Sequence, residues 1–332
     1  MVTKNCIPSK SKLRELIIKS LRKQGFRIRQ GHIVLPENPT KEYYRKLHTL
    51  AVEKKLSMAE PYIRKYENKL IEYIANGDEI DVYNISPKIV LVEPDTENAL
   101  LFRYACLHWS IPVSAGYGRR LRFLVFDENN NKLIGLFGLG DPVFALKARD
   151  NLIGWDLEMK KKQLYHIMDA YVLGAVPPYN HLLCGKLIAM LALSNEVRKA
   201  FYKKYLNHVS LIKKKKRLPY LVMLTTTSAL GRSSLYNRIS VDGFKYWNNI
   251  GFTQGSGDFH FSNGIYESLR SFAERYCEPT AKQSIWGTGY RNKREVVKKC
   301  LQKIGLNTDL LYHGIKREII AAPLAQLSHL RG

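Results

Sequence analysis

Residues 168–192 read MDAYVLGAVPPYNHLLCGKLIAMLA, and the hydrophobic pattern changes in the middle of this stretch. The first half is a short apolar run with branched and aromatic residues, which predicts a buried strand. After the two prolines, apolar residues recur at helical spacing and continue through Val197, Phe201 and Tyr205. This second pattern predicts a helix with one buried face. A strand, a turn and a helix in this order are typical of an α/β core.

Further strand patterns lie on both sides of this stretch. KIVLVEP, LRFLVFD and KLIGLFGL precede it, and PYLVMLTTTS follows it. The second and third of these runs flank ENNN, which has the composition of a hairpin turn. An antiparallel hairpin therefore precedes the strand and helix of residues 168–192, and another strand follows them.

The regions outside this core have helical patterns. Residues 9–30 combine basic residues with apolar residues at helical spacing and lead into a short hairpin, GFRIRQGHIVLP. This segment has two interpretations, part of a winged-helix module or a basic amphipathic cap. We predict a chain of class α/β (α+β) with a mainly α-helical basic N-terminal domain over 1–85, a mixed-sheet core with flanking helices over 86–265, and a basic C-terminal helical extension over 266–332 that packs on the core.

The charge of the chain restricts its partners. It has 53 Lys and Arg against 29 Asp and Glu, a formal net charge of +24, which favours a polyanion such as nucleic acid. We expect DNA rather than RNA. The start has no signal-peptide pattern, and no apolar stretch is long enough to span a bilayer, so we expect a cytoplasmic protein with no membrane partner. The five cysteines are far apart, which predicts reduced thiols and no metal site.

The central region resembles the acyltransferase fold of the GNAT type. In that resemblance, VLGAVPPYNHLLCGKLIAMLA is the strand, turn and helix that bind the coenzyme A pyrophosphate, and LVMLTTTSALG is a strand that splays away. The loop positions of the family fall on Asn180, Leu183 and Gly185, and only Gly185 agrees with the family pattern. Trp247 stands where the family often has a catalytic tyrosine. We therefore expect the scaffold without acetyl transfer and without a cofactor; bound acetyl-CoA is the alternative.

A longer resemblance covers about residues 85 to 323. Its strings include YGRRLRFLVFDENNNKLIGLFGLGDPVFALKARDNLIGW, LTTTSALGRSSLYNRI, IGFTQGSGDFHF and LLYHGIKREI. These strings resemble the DruA family of the Druantia anti-phage defence systems. The resemblance implies a multi-gene bacterial defence system with a large helicase-like partner and other small subunits. It does not supply a reaction.

Three groups of residues are candidates for binding phosphates or nucleic acid. Hydroxyl, amide and guanidinium groups donate hydrogen bonds to phosphate oxygens, and an aromatic ring can stack on a base. One group precedes a strand, one is a run of positive charge, and one follows the LVML strand. The residues are Tyr117, Arg119 and Arg120; Lys213, Lys214, Lys215, Lys216 and Arg217; and Thr225, Thr226, Thr227, Ser228, Arg232, Ser233, Asn237 and Arg238. In the structural alternative, these residues cap helices, pair with acidic neighbours or form solvated loops.

Catalytic residues are not identified by the sequence. A metal-dependent nuclease or transposase-like site needs carboxylates that converge on a divalent cation, and Asp141, Asp150 and Asp169 are the candidates for it. Isolated carboxylates in α/β proteins also serve as helix caps and as partners of arginine. Two hypotheses follow. The chain is a nucleic-acid-binding or adaptor subunit on a degenerate acyltransferase-like scaffold, or it is an enzyme acting on nucleic acid or protein.

Overall fold

The computed structural model describes residues 7–114, 118–209, 217–262, 265–279, 286 and 290–331. The helices of this part are α1 (Lys10–Lys23), α2 (Lys41–Ile63), α3 (Glu67–Ile71), α4 (Glu97–Leu107), α5 (Lys147–Ile153), α6 (Leu157–Gln163), α7 (Cys184–Leu191), α8 (Asn195–Tyr205), α9 (Tyr266–Tyr276) and α10 (Tyr290–Lys303). The strands are β1 (Arg27–Arg29), β2 (His32–Val34), β3 (Pro87–Leu91), β4 (Arg120–Asp127), β5 (Lys132–Gly140), β6 (Ile167–Ala175), β7 (Met223–Thr227), β8 (Asn248–Phe252) and β9 (Glu318–Pro323). The mixed α+β class predicted from the sequence is confirmed.

The chain forms two compact units, and each consists of two separate segments. The helical unit comprises Met1–Ser57 and Thr253–Lys316, and the sheet unit comprises Met58–Phe252 and Arg317–Gly332. Helix α2 continues through the boundary at Ser57. These units differ from the three contiguous segments predicted from the sequence, because contacts between distant parts of the chain define them.

The helical unit is built on amphipathic helices. In α1, Leu13, Ile17 and Leu21 recur every four residues, and all three are buried in a core that also contains residues of α9 and α10. The Ser9 hydroxyl accepts a hydrogen bond from the Lys12 amide at 3.3 Å and so caps the start of α1. The basic residues of α1 remain on its exposed side.

The predicted hairpin after α1 is confirmed. Strands β1 and β2 are antiparallel, and Arg29 pairs with His32 across a two-residue turn. The turn residues Gln30 and Gly31 both have positive φ, 48° and 79°. Two residues of positive φ match the twist of a tight hairpin, and glycine adopts this conformation at little cost.

Among the described residues of the sheet unit, seven strands form one sheet in the order β3-β4-β5-β6-β7-β9-β8. Strands β6 and β7 are parallel, and the other neighbours are antiparallel. The hairpin β4–β5 precedes β6, α7 and the parallel β7, which is the succession of elements predicted from the sequence.

The parallel strands separate before they end. Pairing between β6 and β7 stops at Asp169 and Thr225, although β6 continues to Ala175 and β7 continues to Thr227. We call this place, where β6 and β7 continue without pairing to each other, the splay. A splayed pair leaves backbone carbonyl and amide groups that need other partners.

The large sheet is covered on both faces. Phe123 and Phe137 face a core that includes residues of α7 and α8, whereas Leu124 and Leu136 face a second core with α4. Strand β5, the third in this order, is buried along almost all of its length, because both of its faces carry apolar side chains or glycine.

Three local predictions are wrong. The segment 266–332 contains β9, which lies between β7 and β8, so this segment is not a purely helical extension. From the sequence we expect Arg232 to Arg238 on a helix that follows the LVML strand, but the residues after β7 form turns and a single 3₁₀ turn at Tyr236–Arg238. The predicted long helix is divided into α7 and α8 at Ala192, and its second half buries Val197, Phe201 and Tyr205 as expected.

In the described part of the chain, none of the helices combines the length and the apolar character that crossing a membrane requires.

Candidate nucleic-acid interface

A cavity of about 830 Å³ opens at the end of the large sheet where β4 begins and β5 ends. Residues that precede β4, follow β5 and precede β6 line it, together with side chains of α4, α6 and α8. Among the described residues, its walls carry eight Lys and Arg and two Asp. The cations are Arg103, Arg119, Arg120, Arg122, Lys160, Lys161, Lys204 and Arg217. We call this cavity the basic pocket.

Strand and helix geometry brings one wall of the basic pocket together. Arg120 and Arg122 are two residues apart on β4, so both side chains leave the sheet on the same face. The guanidinium carbon of Arg122 lies 5.8 Å from the ring centroid of Phe102 on α4, and the exposed Arg103 lies on the same helix. Aromatic packing of this kind holds a guanidinium in place at the wall of the pocket.

The opposite wall comes from α8 and from the segment before β7. Lys204 lies exposed in the last turn of α8, and the next residue, Tyr205, donates a hydrogen bond to the Arg120 carbonyl at 2.9 Å. Burial raises the pKa of Tyr205 to about 12, so this hydroxyl stays a neutral donor at physiological pH. Arg217 donates to the Lys162 carbonyl at 2.5 Å, and its guanidinium lies 5.9 Å from the Tyr165 ring.

Arg119 has a different role from its neighbours, since its side chain is only 7 % exposed. It pairs with Asp141 at 2.7 Å, donates to the Tyr165 carbonyl at 2.7 Å, and lies 4.2 Å from the centre of the Tyr165 ring. The donors of this predicted phosphate clamp are thus largely engaged within the protein. These contacts fix the turn before β4, and Arg120 follows directly after it.

Gly118 makes this turn possible. Its φ is +62°, and a Cβ atom there would lie 2.0 Å from a carboxylate oxygen of Asp141. The same oxygen accepts the backbone N–H of Arg119 at 2.9 Å. A side chain at position 118 would displace Asp141, so the tight turn requires glycine.

Some predicted residues of this region lie outside the described residues. They are Tyr117 and Lys213 to Lys216. Arg217, the last residue of the charge run, lines the basic pocket, and so does Arg120 of the YGRR cluster. The structure therefore brings two of the three predicted groups to one cavity, each through a residue that the sequence named.

The third predicted group lies where β6 and β7 splay apart. Thr225 donates its hydroxyl to Asp169 at 2.8 Å, and Thr226 donates to the Ala170 carbonyl at 2.8 Å. Both threonines are buried, whereas Thr227 is exposed. The Thr226 hydroxyl supplies a partner to a backbone carbonyl of β6, and the Thr225 hydroxyl supplies one to the Asp169 carboxylate. Thr225 and Thr226 therefore complete the fold at this point.

The loop after β7 is organised around Glu318, which is 1 % exposed. Its carboxylate accepts the Ser233 amide at 2.7 Å and the Asn237 side-chain amide at 3.0 Å. Arg232 approaches it at 3.7 Å, although the Arg232 side chain is 86 % exposed. Ser233 and Asn237 are therefore used to hold a buried carboxylate, while Arg232 and Arg238 extend into solvent.

The positions of the coenzyme loop are a poor fit to a pyrophosphate. Leu183 has φ +61° and is 67 % exposed, so a bulky side chain stands at the start of α7. A Cβ atom on Gly185 would lie 2.9 Å from Leu235, which covers that backbone. Asn180 belongs to a 3₁₀ turn, where its amide bonds to the Val176 carbonyl. A phosphate-binding loop needs bare backbone N–H groups, and side chains crowd this one.

The three candidate aspartates have separate partners. Asp141 pairs with Arg119, and Asp150 pairs with Arg149 at 2.6 Å and with Lys160 at 2.8 Å. Asp169 accepts from Thr225, and loss of hydration raises its pKa to about 6. Within the described ranges, no group of three or more His, Cys, Asp or Glu side chains is placed to hold a metal ion.

Comparisons with known proteins place this fold in a family. The family model "Druantia protein DruA" matches residues 38–331. The chain belongs to the DruA family. A curated relative, "Druantia protein DruA" of Escherichia coli (strain UMEA 4076-1), is 42 % identical over 317 residues, which cover 95 % of this chain and 78 % of the relative. No solved structure matches the chain.

Sequence reasoning missed several cations of the basic pocket in this DruA-family chain. Arg103, Arg122, Lys160, Lys161 and Lys204 lie on four elements that are far apart in sequence. On a helix or strand each of them is indistinguishable from an ordinary surface residue. The alternation of Arg120 and Arg122 in RRLR was the available signal, because a period of two places both on one face of a strand.

Proposed function

We propose that this DruA-family chain is a nucleic-acid-binding subunit of a Druantia anti-phage defence system, and that DNA is its ligand in the cytoplasm. The basic pocket is the observation that carries the proposal. We further propose that a helicase-like partner and other Druantia subunits supply any energy-consuming step.

The electrostatics of the pocket support a polyanionic ligand. Eight cations line its walls against two acids among the described lining residues, Asp95 and Asp141. Asp141 engages Arg119 and Asp150 engages Lys160, so these two cations are partly neutralised within the protein. Cations that share one concave surface raise the local potential, and each phosphate they neutralise releases counterions. Arg side chains add paired N–H donors that match phosphate oxygens.

The size of the pocket restricts which part of the nucleic acid enters it. A volume of about 830 Å³ is within the range of sites for small ligands. Such a cavity accommodates a few nucleotides of one strand, or the backbone at one side of a helix, rather than a complete duplex. The proposal is therefore recognition of a strand through its phosphates.

The degenerate coenzyme loop supports a binding role over acyl transfer. Leu183 and Leu235 crowd the backbone at the start of α7, and Trp247 is 1 % exposed with its indole N–H donated to the Ala189 carbonyl at 3.1 Å. Trp247, which stands where GNAT acyltransferases often have a catalytic tyrosine, is thus a core residue. We propose an acyltransferase-like scaffold whose ligand site lies at the basic pocket.

The test is DNA binding by a variant that removes cations from both walls of the pocket. Arg103→Ala, Arg122→Ala and Lys204→Ala combined should weaken binding and reduce the salt slope by about 2, since each lost phosphate contact contributes about 0.7 to 0.9. Fluorescence anisotropy across a salt series measures both quantities. Lys88→Ala, on β3 beside the end of β4 that is distant from the pocket, is a control for the loss of one charge. An unchanged slope in the folded triple variant would remove the pocket from the proposal.

A further inference from the structure

A second groove lies beside the basic pocket and contains an exposed pair of aromatic rings. Tyr202 of α8 and Tyr220 are stacked, with ring centroids 5.8 Å apart and an interplanar angle of 29°. The two residues are 37 % and 54 % exposed. Most aromatic pairs bury their rings in a core, whereas this pair presents its rings to solvent.

The surroundings of the tyrosine pair are cationic. Arg198 and Lys199 of α8 line the same groove, which has a volume of about 360 Å³. Arg198 and Tyr202 are four residues apart and therefore lie on the same side of the helix. Exposed rings beside two cations are the components of a site that binds a base by stacking and its phosphate by charge.

The same two chain segments, α8 and the residues before β7, line the groove and the basic pocket. On α8, Tyr202 and Lys204 are two residues apart and therefore face different sides of the helix. Tyr220 is three residues after Arg217, which lines the pocket. A strand that leaves the pocket past Arg217 therefore has at most about 10 Å to cover before it reaches the tyrosine pair.

The position of Tyr220 is fixed by the large sheet. His166 donates its Nδ1–H to the Tyr220 carbonyl at 3.0 Å, and the Val222 amide donates to the His166 carbonyl at 2.9 Å. His166 directly precedes β6, next to the pocket residue Tyr165. The ring of Tyr220 is thus presented from an anchored backbone, which lowers the entropy lost when a base stacks on it.

We propose that the groove formed by Arg198, Lys199, Tyr202 and Tyr220 is a base-stacking site for single-stranded nucleic acid whose phosphates occupy the basic pocket. The inference rests on the proposed function and adds the strandedness of the ligand. The faces of bases are covered by neighbouring bases in a duplex, so exposed rings can stack only on a strand that is unpaired.

The experiment compares two single strands that differ only in their bases. One is an oligothymidine of about 12 nucleotides, and the other is an abasic strand of the same length with the same phosphates. The protein should bind the oligothymidine about 10-fold more tightly or better, because stacking adds to the phosphate contacts. In Tyr202→Ala/Tyr220→Ala the affinities for the two strands should become nearly equal, while abasic binding stays unchanged.

Two control variants isolate the aromatic face. Tyr202→Phe/Tyr220→Phe keeps both rings and should keep the preference for the oligothymidine. Tyr83→Ala removes a tyrosine that is 94 % exposed near the other end of β4 and should also keep it. A preference that persists in the double alanine variant overturns the stacking site, and so does tighter binding of a polyglutamate peptide or of a duplex than of the oligothymidine.

A second measurement does not depend on the folding of any variant. Oligothymidine with 5-iododeoxyuridine in place of thymidine, irradiated with the unaltered protein, should crosslink to peptides containing Tyr202 or Tyr220. Crosslinks confined to other peptides would overturn the proposal. Loss of binding in the pocket variant with unchanged base preference in the tyrosine variant would leave the proposed function in place and remove only the stacking site. If the unaltered protein binds none of these strands, both fail.

Discussion

The basic pocket at the start of β4 and the splay between β6 and β7 are both rich in polar residues, and the two regions use them differently. At the pocket, Arg120, Arg122 and Lys204 line an open cavity. At the splay, Thr225 and Asn237 are bonded to the carboxylates Asp169 and Glu318. A dense cluster of donors in the sequence therefore indicates a binding site only where the fold does not need those donors itself.

Arg119 differs from the other cations of the pocket because its donors are used within the fold. Its removal should therefore have the largest effect on the stability of the protein. Arg119→Met should lower the free energy of unfolding by about 4 kcal/mol, because Asp141 and the Tyr165 carbonyl lose their partner. Urea denaturation measures the change. Arg103→Met, on the exposed side of α4, should change it by less than about 0.5 kcal/mol. Equal effects of the two substitutions would contradict the buried role of Arg119.

Glu318 provides the corresponding test at the splay. Glu318→Ala should lower the free energy of unfolding by about 3 kcal/mol, since the Ser233 amide and the Asn237 side chain lose a buried acceptor. The loop after β7 should also become more sensitive to limited proteolysis. Arg232→Ala removes the exposed partner alone and should cost less than about 1 kcal/mol. A protease-resistant Glu318→Ala protein would show that the loop does not depend on this carboxylate.

Charge reversal compares DNA binding at the two regions directly. Arg122→Glu/Lys204→Glu in the basic pocket should weaken binding about 100-fold at low salt, because two phosphate contacts become repulsive. Arg232→Glu/Arg238→Glu changes the net charge equally and should weaken binding less than about 5-fold. Anisotropy titrations on one DNA give both numbers. The reverse ranking would move the binding site to the splay, which is one of the three places that the sequence alone indicated.

Replacement of Asp169 at the splay should give the smallest of these effects, a change in the free energy of unfolding that depends on pH. Burial raises its pKa from 3.8 to about 6, so the folded protein binds more protons than the unfolded chain between these values. Its contribution to stability therefore falls as the pH rises through this window. Asp169→Asn should stabilise the protein by about 2 kcal/mol at pH 7 and make little difference below pH about 4. Urea midpoints at several pH values test this, and a destabilised Asp169→Asn protein at pH 7 would contradict it.

Local patterns predicted the parts of the fold that local interactions determine. The ENNN turn predicted the β4–β5 hairpin, and the spacing of Val197, Phe201 and Tyr205 predicted the buried face of α8. The strand EIIAAP was missed, because its two partners, β7 and β8, lie far upstream in the chain. Pairing between strands that are far apart in the chain cannot be predicted from the local sequence pattern.

Only part of the candidate site was predicted, because local sequence patterns do not show which distant residues meet in the fold. The clusters YGRR and KKKKR each supply a residue of the basic pocket, Arg120 and Arg217, because runs of charge are visible in sequence. Arg103, Arg122 and Lys204 became pocket residues only when α4, β4 and α8 met. The hydroxyls of Thr225 and Thr226 were equally visible, but their partners on β6 were not.

The placement of β9 between β7 and β8 also has a kinetic consequence. Strands β8 and β9 are neighbours, and Phe252 pairs with Glu318, although residues 253–317 lie between them in the chain. Closing such a long loop costs entropy before the new pairing stabilises it, and long-range pairing slows folding. This edge of the sheet should consequently form late during refolding, after the β4–β5 hairpin, whose strands are joined by a short turn.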